Sequence, residues 1–306
     1  MNPVWIKRGL VFHSDMAPYH EKLRSHAANP LAVHLEDDIY RVYFSGRDEL
    51  NRSSVGAVDI NILTNEVVRT FSEPFFIHGP AGSFYADGVS IGNCYSVGDT
   101  TYMLFMGWQT PPDSHWRGDI GRLILNQDYS LELESEKPFM STDAVDPVSL
   151  SYPWVLDLNG IYRMWYGSTV TWDAGNGEML HVLNQASSLD GHSWKREGQA
   201  VPHIMDKAQA FSRPTVLENE DGSLAMWFSC RGASGNGYHI GYAESSDGKN
   251  WTLKENAAGI TSSSSGWDSE MIEYPFVFRH KNNCYMLYNG NSHGASGFGL
   301  AVLSSD

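Results

Sequence analysis

Only three cysteines occur in 306 residues, Cys94, Cys230 and Cys284, and no two are close in sequence. An odd, scattered set excludes a disulfide framework and a zinc knuckle, both of which need closely spaced pairs. Cys230 and Cys284 fall inside apolar runs, where free cysteine behaves as a small buried hydrophobe. No apolar run nears the roughly 20 residues of a membrane-spanning helix, so no membrane partner is expected. Met1 to Phe12 contain neither a long apolar stretch nor a small-residue cleavage site, so no secretory signal is read and a cytoplasmic location is expected. Basic residues are scarce, 21 Lys and Arg against 36 Asp and Glu, for a formal net charge of −15. Such a chain repels a phosphate backbone, and nucleic acid is not an expected partner. Histidines lack paired metal-ligand spacing, so neither a metal nor another cofactor is expected. Charged residues are only 19% and hydrophobic ones 42%, which excludes a disordered chain.

What the chain does have is a repeat built on aromatics. Tyr40-Arg41-Val42-Tyr43-Phe44 is echoed by Tyr102-Met103-Leu104-Phe105, Tyr162-Arg163-Met164-Trp165-Tyr166, Leu224-Ala225-Met226-Trp227-Phe228 and Tyr285-Met286-Leu287-Tyr288. Successive copies lie about 60 residues apart, which signals five similar structural units. Alternation at period two signals strands. Pro30, Pro153, Pro214 and Pro275 each open a second apolar run upstream of a motif, with a polar turn between, such as Glu220-Asp221-Gly222. That pattern predicts a hairpin, with proline where no ladder donor is needed. A third run follows, as in Ile120-Gly121-Arg122-Leu123, and a turn ending in Trp194 or Trp251 marks a fourth strand.

Four strands per unit, repeated radially, predict an all-β five-bladed β-propeller in one domain over residues 1–306. The last unit ends after three strands. The spare N-terminal segment, Val4-Trp5-Ile6 to Val11-Phe12, is expected to supply its outer strand, closing the ring and hiding a sheet edge.

The proline-led hairpin and the Ser-x-Asp-Gly-x-x-Trp turn, Ser188 to Trp194 and Ser245 to Trp251, resemble the five-bladed propeller glycosidases of the arabinanase and levansucrase type. Asn29-Pro30 is similar to the opening of mannoside phosphorylases of that fold. Further stretches, His26 to Pro30, Phe44 to Asp48, Tyr152 to Val155, Arg163 to Ser168 and Trp267 to Pro275, resemble bacterial "glycosylase" proteins of surface-polysaccharide gene clusters. The resemblance spans essentially the whole chain and implies a sugar-acting function. One departure stands out. The hydrolytic families place an Asp at the first blade's inner strand and a Glu at the third's, where this chain has Asn29 and Ser151-Tyr152.

In a propeller the inner strands run beside the axis, so the segments leading into them converge: residues 24–29, 85–90, 146–152, 209–213 and 268–274. Glycosyl transfer needs an acid for the leaving oxygen and a carboxylate to activate water or attack carbon. Asp87, Glu270 and Glu273 are the expected catalytic carboxylates, Asp87 as the carboxylate and Glu273 or Glu270 as the acid. Arg24, Arg47, Arg213 and Arg231 are candidates to bind the ligand, the first three suiting a carboxylate or phosphate. His26, Asn29, Asp48, Trp108, Tyr152, Asn289 and His293 complete the expected binding set, the aromatics by stacking on a sugar ring. Each has a structural reading too. Asp87-Gly88 makes a common turn pair, Glu270 and Glu273 suit ion pairs between units, and Asp48 suits a local salt bridge. The expected ligand is a sugar or nucleotide-sugar. The competing readings are a non-catalytic carbohydrate-binding propeller and an interaction scaffold.

Overall fold

The computed structural model describes residues 2–175, 177–203, 210–232, 237–254 and 256–304. Residue 209, in one of the expected lead-in segments, lies outside them. The architecture is all-β. The strand β1 (Trp5–Phe12) precedes an antiparallel meander of β2 (Ser25–Glu36), β3 (Ile39–Arg47), β4 (Ser53–Asn61) and β5 (Glu66–Thr70). The same order recurs in β6 (Gly88–Val97), β7 (Thr100–Gln109), β8 (Arg117–Leu125) and β9 (Leu131–Leu133). It recurs again in β10 (Ser149–Leu158), β11 (Ile161–Thr171), β12 (Leu180–Ser188) and β13 (Lys195–Gln199). Next come β14 (Ala210–Glu218), β15 (Leu224–Arg231), β16 (His239–Ser245) and β17 (Thr252–Leu253). The last group is β18 (Glu273–His280), β19 (Asn283–Asn289) and β20 (Phe298–Leu303). Its fourth member is β1, which pairs antiparallel with β20, Trp5 opposite Leu303 and Phe12 opposite Phe298.

The repeat motif falls on the second strand of each meander. Those strands carry apolar side chains on both faces because each sheet packs against another on either side. Tyr43, Phe105, Trp165, Trp227 and Tyr288 are all buried. Neighbouring meanders approach closely where the third strand of one, β8, meets the inner strand of the next, β10. A Cβ on Gly118 would meet the Leu150 carbonyl oxygen at 2.1 Å, so only glycine fits there.

The Ser-x-Asp-Gly turns tie one meander to its predecessor. Asp190 accepts from the amides of His192 (2.8 Å) and Ser193 (2.7 Å), and Asp247 from those of Lys249 and Asn250 (both 2.8 Å). These bonds hold both carboxyls well below the usual carboxylate range. The turn carbonyls then bond backwards: Tyr95 Oη donates to Gly191 O (2.9 Å) and Gln185 Nε2 to Lys249 O (2.9 Å). Trp251 packs edge-on to Trp165 at 5.6 Å.

Candidate functional site

Each inner strand breaks register at a matching place: between Ala28 and Leu31, Ile91 and Cys94, Ser151 and Trp154, Ser212 and Thr215, and Glu273 and Phe276. At four of these bulges the residue before a proline has left-handed backbone: Asn29 (φ 54), Tyr152 (φ 36), Arg213 (φ 51) and Tyr274 (φ 53). A residue preceding proline normally stays extended. Left-handed backbone at a non-glycine costs about 1–3 kcal/mol at each position. The conformation re-aims the side chain, and proline brings no amide hydrogen needing a partner. The freed amides are met from elsewhere, Asn29 N by Asn289 Oδ1 (2.9 Å) and Tyr274 N by Ser229 Oγ (2.8 Å).

The bulges surround a cavity of about 260 Å³. Of the residues expected at a site, Asn29, Arg47, Trp108, Tyr152 and His293 line it. Tyr238, Tyr274 and His181 join them. Sequence reasoning passed over these three. Tyr274 was legible, since it precedes Pro275 as Tyr152 precedes Pro153. His181 accepts or donates hydrogen bonds through both ring nitrogens, to Ser151 Oγ (2.7 Å) and Thr169 Oγ1 (2.8 Å), and burial pushes its pKa down to about 4. It is therefore neutral at physiological pH.

Glu273 and Arg213 lie in the protein interior beside this cavity. Glu273 is fully buried, and neither carboxyl oxygen has an aligned hydrogen-bond donor among the described residues. His293 Nδ1 stands 2.9 Å from Glu273 Oε1, within ion-pair reach but off the line of a hydrogen bond. Burial pushes the Glu273 carboxyl up, and pairing with Glu273 raises the His293 imidazole. The pair therefore takes up a proton at higher pH than a free glutamate would. His293 sits in a tight turn, with left-handed backbone at Ser292 (φ 56) and His293 (φ 57). Tyr152 Oη donates to Tyr274 Oη at 3.3 Å. Arg213 Nη2 donates to Pro30 O (2.9 Å), while its Nη1 is buried without a partner.

The remaining expected residues sit elsewhere or carry structural bonds. His26 bonds Ser25 Oγ through Nδ1 (2.9 Å), and burial, with the Arg47 and His293 charges, pushes it down to about 4. Asp48 braces its own loop, accepting from Leu50 N and Arg52 N (both 2.9 Å) and pairing with Arg52. Asn289 stitches the last meander to the first, donating to Ala27 O (2.7 Å) and Gly297 O (2.9 Å). Arg231 pairs with Glu178 at 2.6 Å and stands over the Tyr238 ring. Arg24 is partly exposed and pairs with Glu49. Glu270 is exposed. Asp87 lies just before β6, half-buried, and accepts from Thr110 N at 2.6 Å. Neither Asp87 nor Glu270 is among the lining residues, and among the described residues no carboxylate is. Among the described residues no cluster of His, Cys, Asp and Glu is placed to hold a metal ion.

No family model matches the chain. Two uncharacterized proteins of Mycobacterium tuberculosis, Rv1502 and MT1551, are each 41% identical over 307 aligned residues, covering 98% of this chain and 99% of their own. Among solved structures, a glycoside hydrolase superposes with a TM-score of 0.74 at 15% identity, over 100% of this chain and 92% of its own. A thermostable family-43 glycoside hydrolase gives 0.65 at 13% identity, over 96% and 91%. Sucrose-6-phosphate hydrolase from Lactobacillus gasseri gives 0.65 at 12% identity, over 96% of this chain and 62% of its own. Likeness at such identities is likeness of fold, and the fold is that of the propeller glycoside hydrolases.

Proposed function

The chain belongs to the same family as the two mycobacterial proteins, and on that footing we propose that it is a carbohydrate-active enzyme working from the cavity among its inner strands. In this reading the meanders are the blades of a five-bladed propeller, with β1 completing the last. The reaction is cleavage or rearrangement of a glycosidic or sugar-nucleotide bond, in bacterial surface-polysaccharide metabolism in the cytoplasm.

One observation carries the reading. A histidine on the cavity wall is backed by a fully buried glutamate 2.9 Å away, and that glutamate has no other ionic partner among the described residues. Cleaving a glycosidic bond requires a proton for the departing oxygen, and an acid placed to give it contributes roughly 10²–10⁴-fold. His293 is the group able to reach a ligand, and Glu273 charges and orients it. Trp108, Tyr152 and Tyr274 offer ring faces for a sugar. The paired carboxylates of ordinary glycosidases flank the scissile bond directly. Among the described residues the lining includes none, which favours a reaction whose nucleophile or leaving group is not managed by a second protein carboxylate.

The test is incubation of the full chain with nucleotide-sugars and oligosaccharides, with and without phosphate, beside His293→Ala, Glu273→Gln and Asp87→Asn. Turnover falling roughly 100-fold or more in the first two supports the assignment. Turnover abolished by Asp87→Asn but not by His293→Ala overturns it. The same absence of lining carboxylates also suits a sugar-binding protein, and saturable binding without any turnover would decide for that reading.

A further inference from the structure

The arginines of this protein divide into two kinds. Arg41 pairs with Asp59 at 2.8 Å, Arg122 with Glu134, Arg163 with Glu197 at 3.3 Å and Arg196 with Asp146 at 2.6 Å. All four guanidiniums are at least nine-tenths buried, and each has a carboxylate, as burial of a charge demands. Arg213 breaks the pattern. It is more buried than any of them, at 1% exposure, yet among the described residues it has no acidic partner. Its one bond is to the Pro30 carbonyl, and Nη1 is left with nothing. A chain with 36 acidic residues has no shortage of partners to place there.

The surroundings specify what is missing. Arg213 stands at the bulge of β14, next to Ser212, which lines the cavity. Its bond to Pro30 O puts it against the bulge of β2, where Asn29 lines the cavity and has a buried Oδ1 that no donor reaches. Tyr152 and Tyr274 line the cavity, and their hydroxyl groups lie within electrostatic reach of the Arg213 guanidinium. Arg47 lines the cavity and makes no ion pair among the described residues. An uncompensated guanidinium just behind the lining, a second one on the wall and the phenolic hydrogen of Tyr274, which the Tyr152 hydroxyl leaves free, form a receptor for an oxyanion. The orphaned Asn29 oxygen suits a hydroxyl on the same ligand.

We propose that the cavity holds an oxyanion subsite, in which Arg213 and Arg47 take a carboxylate or phosphate group borne by the sugar, so that the substrate is an acidic or phosphorylated saccharide. The proposal rests on the carbohydrate reading for the sugar and on the geometry alone for the anion. A neutral saccharide would leave the Arg213 charge uncompensated on binding, with part of its hydration lost.

Equilibrium calorimetry on the full chain tests it, at constant ionic strength, with D-glucuronate, D-glucose 1-phosphate, D-glucose and inorganic phosphate as probes. At least one anionic sugar is expected to bind tenfold or more tightly than glucose. Arg213→Met and Arg47→Met are each expected to weaken that binding roughly ten- to hundredfold, the loss of one charge-assisted hydrogen-bonding group. Their effect on glucose is expected to be small. Inorganic phosphate binding with the same arginine dependence, while glucuronate and glucose 1-phosphate do not bind, would assign the subsite to a free anion and overturn the sugar-borne form. Glucose binding as tightly as the anions, anionic binding that survives both variants, or no saturable anionic binding would overturn the subsite itself. Should Arg213→Met not fold, Arg213→Lys and Arg47→Met give the same discrimination. Since the readout is binding, absence of turnover leaves this result intact, and turnover of neutral oligosaccharides would refute the subsite while sparing the enzyme reading.

Discussion

Replacing Arg213 by methionine should make the protein more stable. Burial lowers the Arg213 pKa from the 12.5 of a solvated guanidinium to about 10. At neutral pH the group is still charged, and the shift corresponds to an unfavourable ~3 kcal/mol for holding that charge inside. A base whose folded pKa is depressed binds fewer protons folded than unfolded between about pH 10 and 12.5, so stability rises only across that window. Below it the full cost is present. Methionine keeps most of the apolar stem and removes the charge, while leaving Pro30 O without its donor at a cost of about 1 kcal/mol. The balance is a gain of ~2 kcal/mol. With an unfolding entropy near 2.1 cal/mol/K per residue, this 306-residue chain should gain about 3 °C in Tm. Differential scanning calorimetry in a buffer free of phosphate and carboxylate, at pH 7, is the assay. A Tm lower by several degrees, with the native circular dichroism spectrum retained, would show that the guanidinium is a structural pillar, and the charge argument would fail.

Asp146 should behave in the opposite way. It is fully buried and accepts from Tyr166 Oη (2.7 Å), Asn184 Nδ2 (2.6 Å) and Arg196 Nη1 (2.6 Å), so Asp146→Ala should cost ~3–5 kcal/mol, seen as a lowered urea midpoint, with Asp146→Asn milder. Equal midpoints for wild type and Asp146→Ala would contradict this. In the pH profile of kcat/KM, the alkaline limb reports loss of the His293 proton. Because Glu273 raises that pKa, Glu273→Gln should shift the limb to lower pH, and a shift the other way would reject the pairing. Gly118→Ala should lose about 1–3 kcal/mol, since its Cβ would stand 2.1 Å from a backbone oxygen that cannot swing away. A melting temperature unchanged in that variant would mean that β8 and β10 separate more easily than their packing implies.

The strands were legible because their cause is local. Alternation in Tyr102 to Phe105 needs no knowledge of the rest of the chain, and the resulting β7 is buried as its pattern requires. The partner of the N-terminal segment was legible by subtraction, since the last meander lacked a strand and β1 fills that place. The site was legible only where a local mark coincided with it. Proline flagged Asn29, Tyr152 and Arg213, all now found at or beside the cavity. Counting residues back from the aromatic motif did less well. It put Asp87 and Glu270 in matching slots before their inner strands, yet neither is among the lining residues, although the Asp87 backbone bonds Ser53 and Trp108, which are. Each strand has a register shift, and one residue of slip turns a side chain to the opposite face. Counting cannot see such a slip. His293 reaches Glu273 through a left-handed turn that no periodicity announces.

The distribution of charge in the molecule argues that its stability has been yielded at one place. Carboxylates accompany the buried arginines of the outer parts of the sheets, as in Arg41–Asp59 and Arg122–Glu134. At the cavity the rule reverses: Arg213 and Arg47 make no ion pair among the described residues, and the buried Glu273 is matched by His293. A protein of net charge −15 thereby keeps a locally positive hollow. Four pre-proline residues hold left-handed backbone around the same hollow, at about 1–3 kcal/mol each. Strain and unpaired charge both oppose folding, and their coincidence at a single cavity is what a ligand site, rather than a packing accident, predicts. A ligand that supplies the absent negative charge would relieve the electrostatic part on binding, which ties the stability gain expected of Arg213→Met to its loss of anion affinity. The two effects should appear together in one variant or not at all.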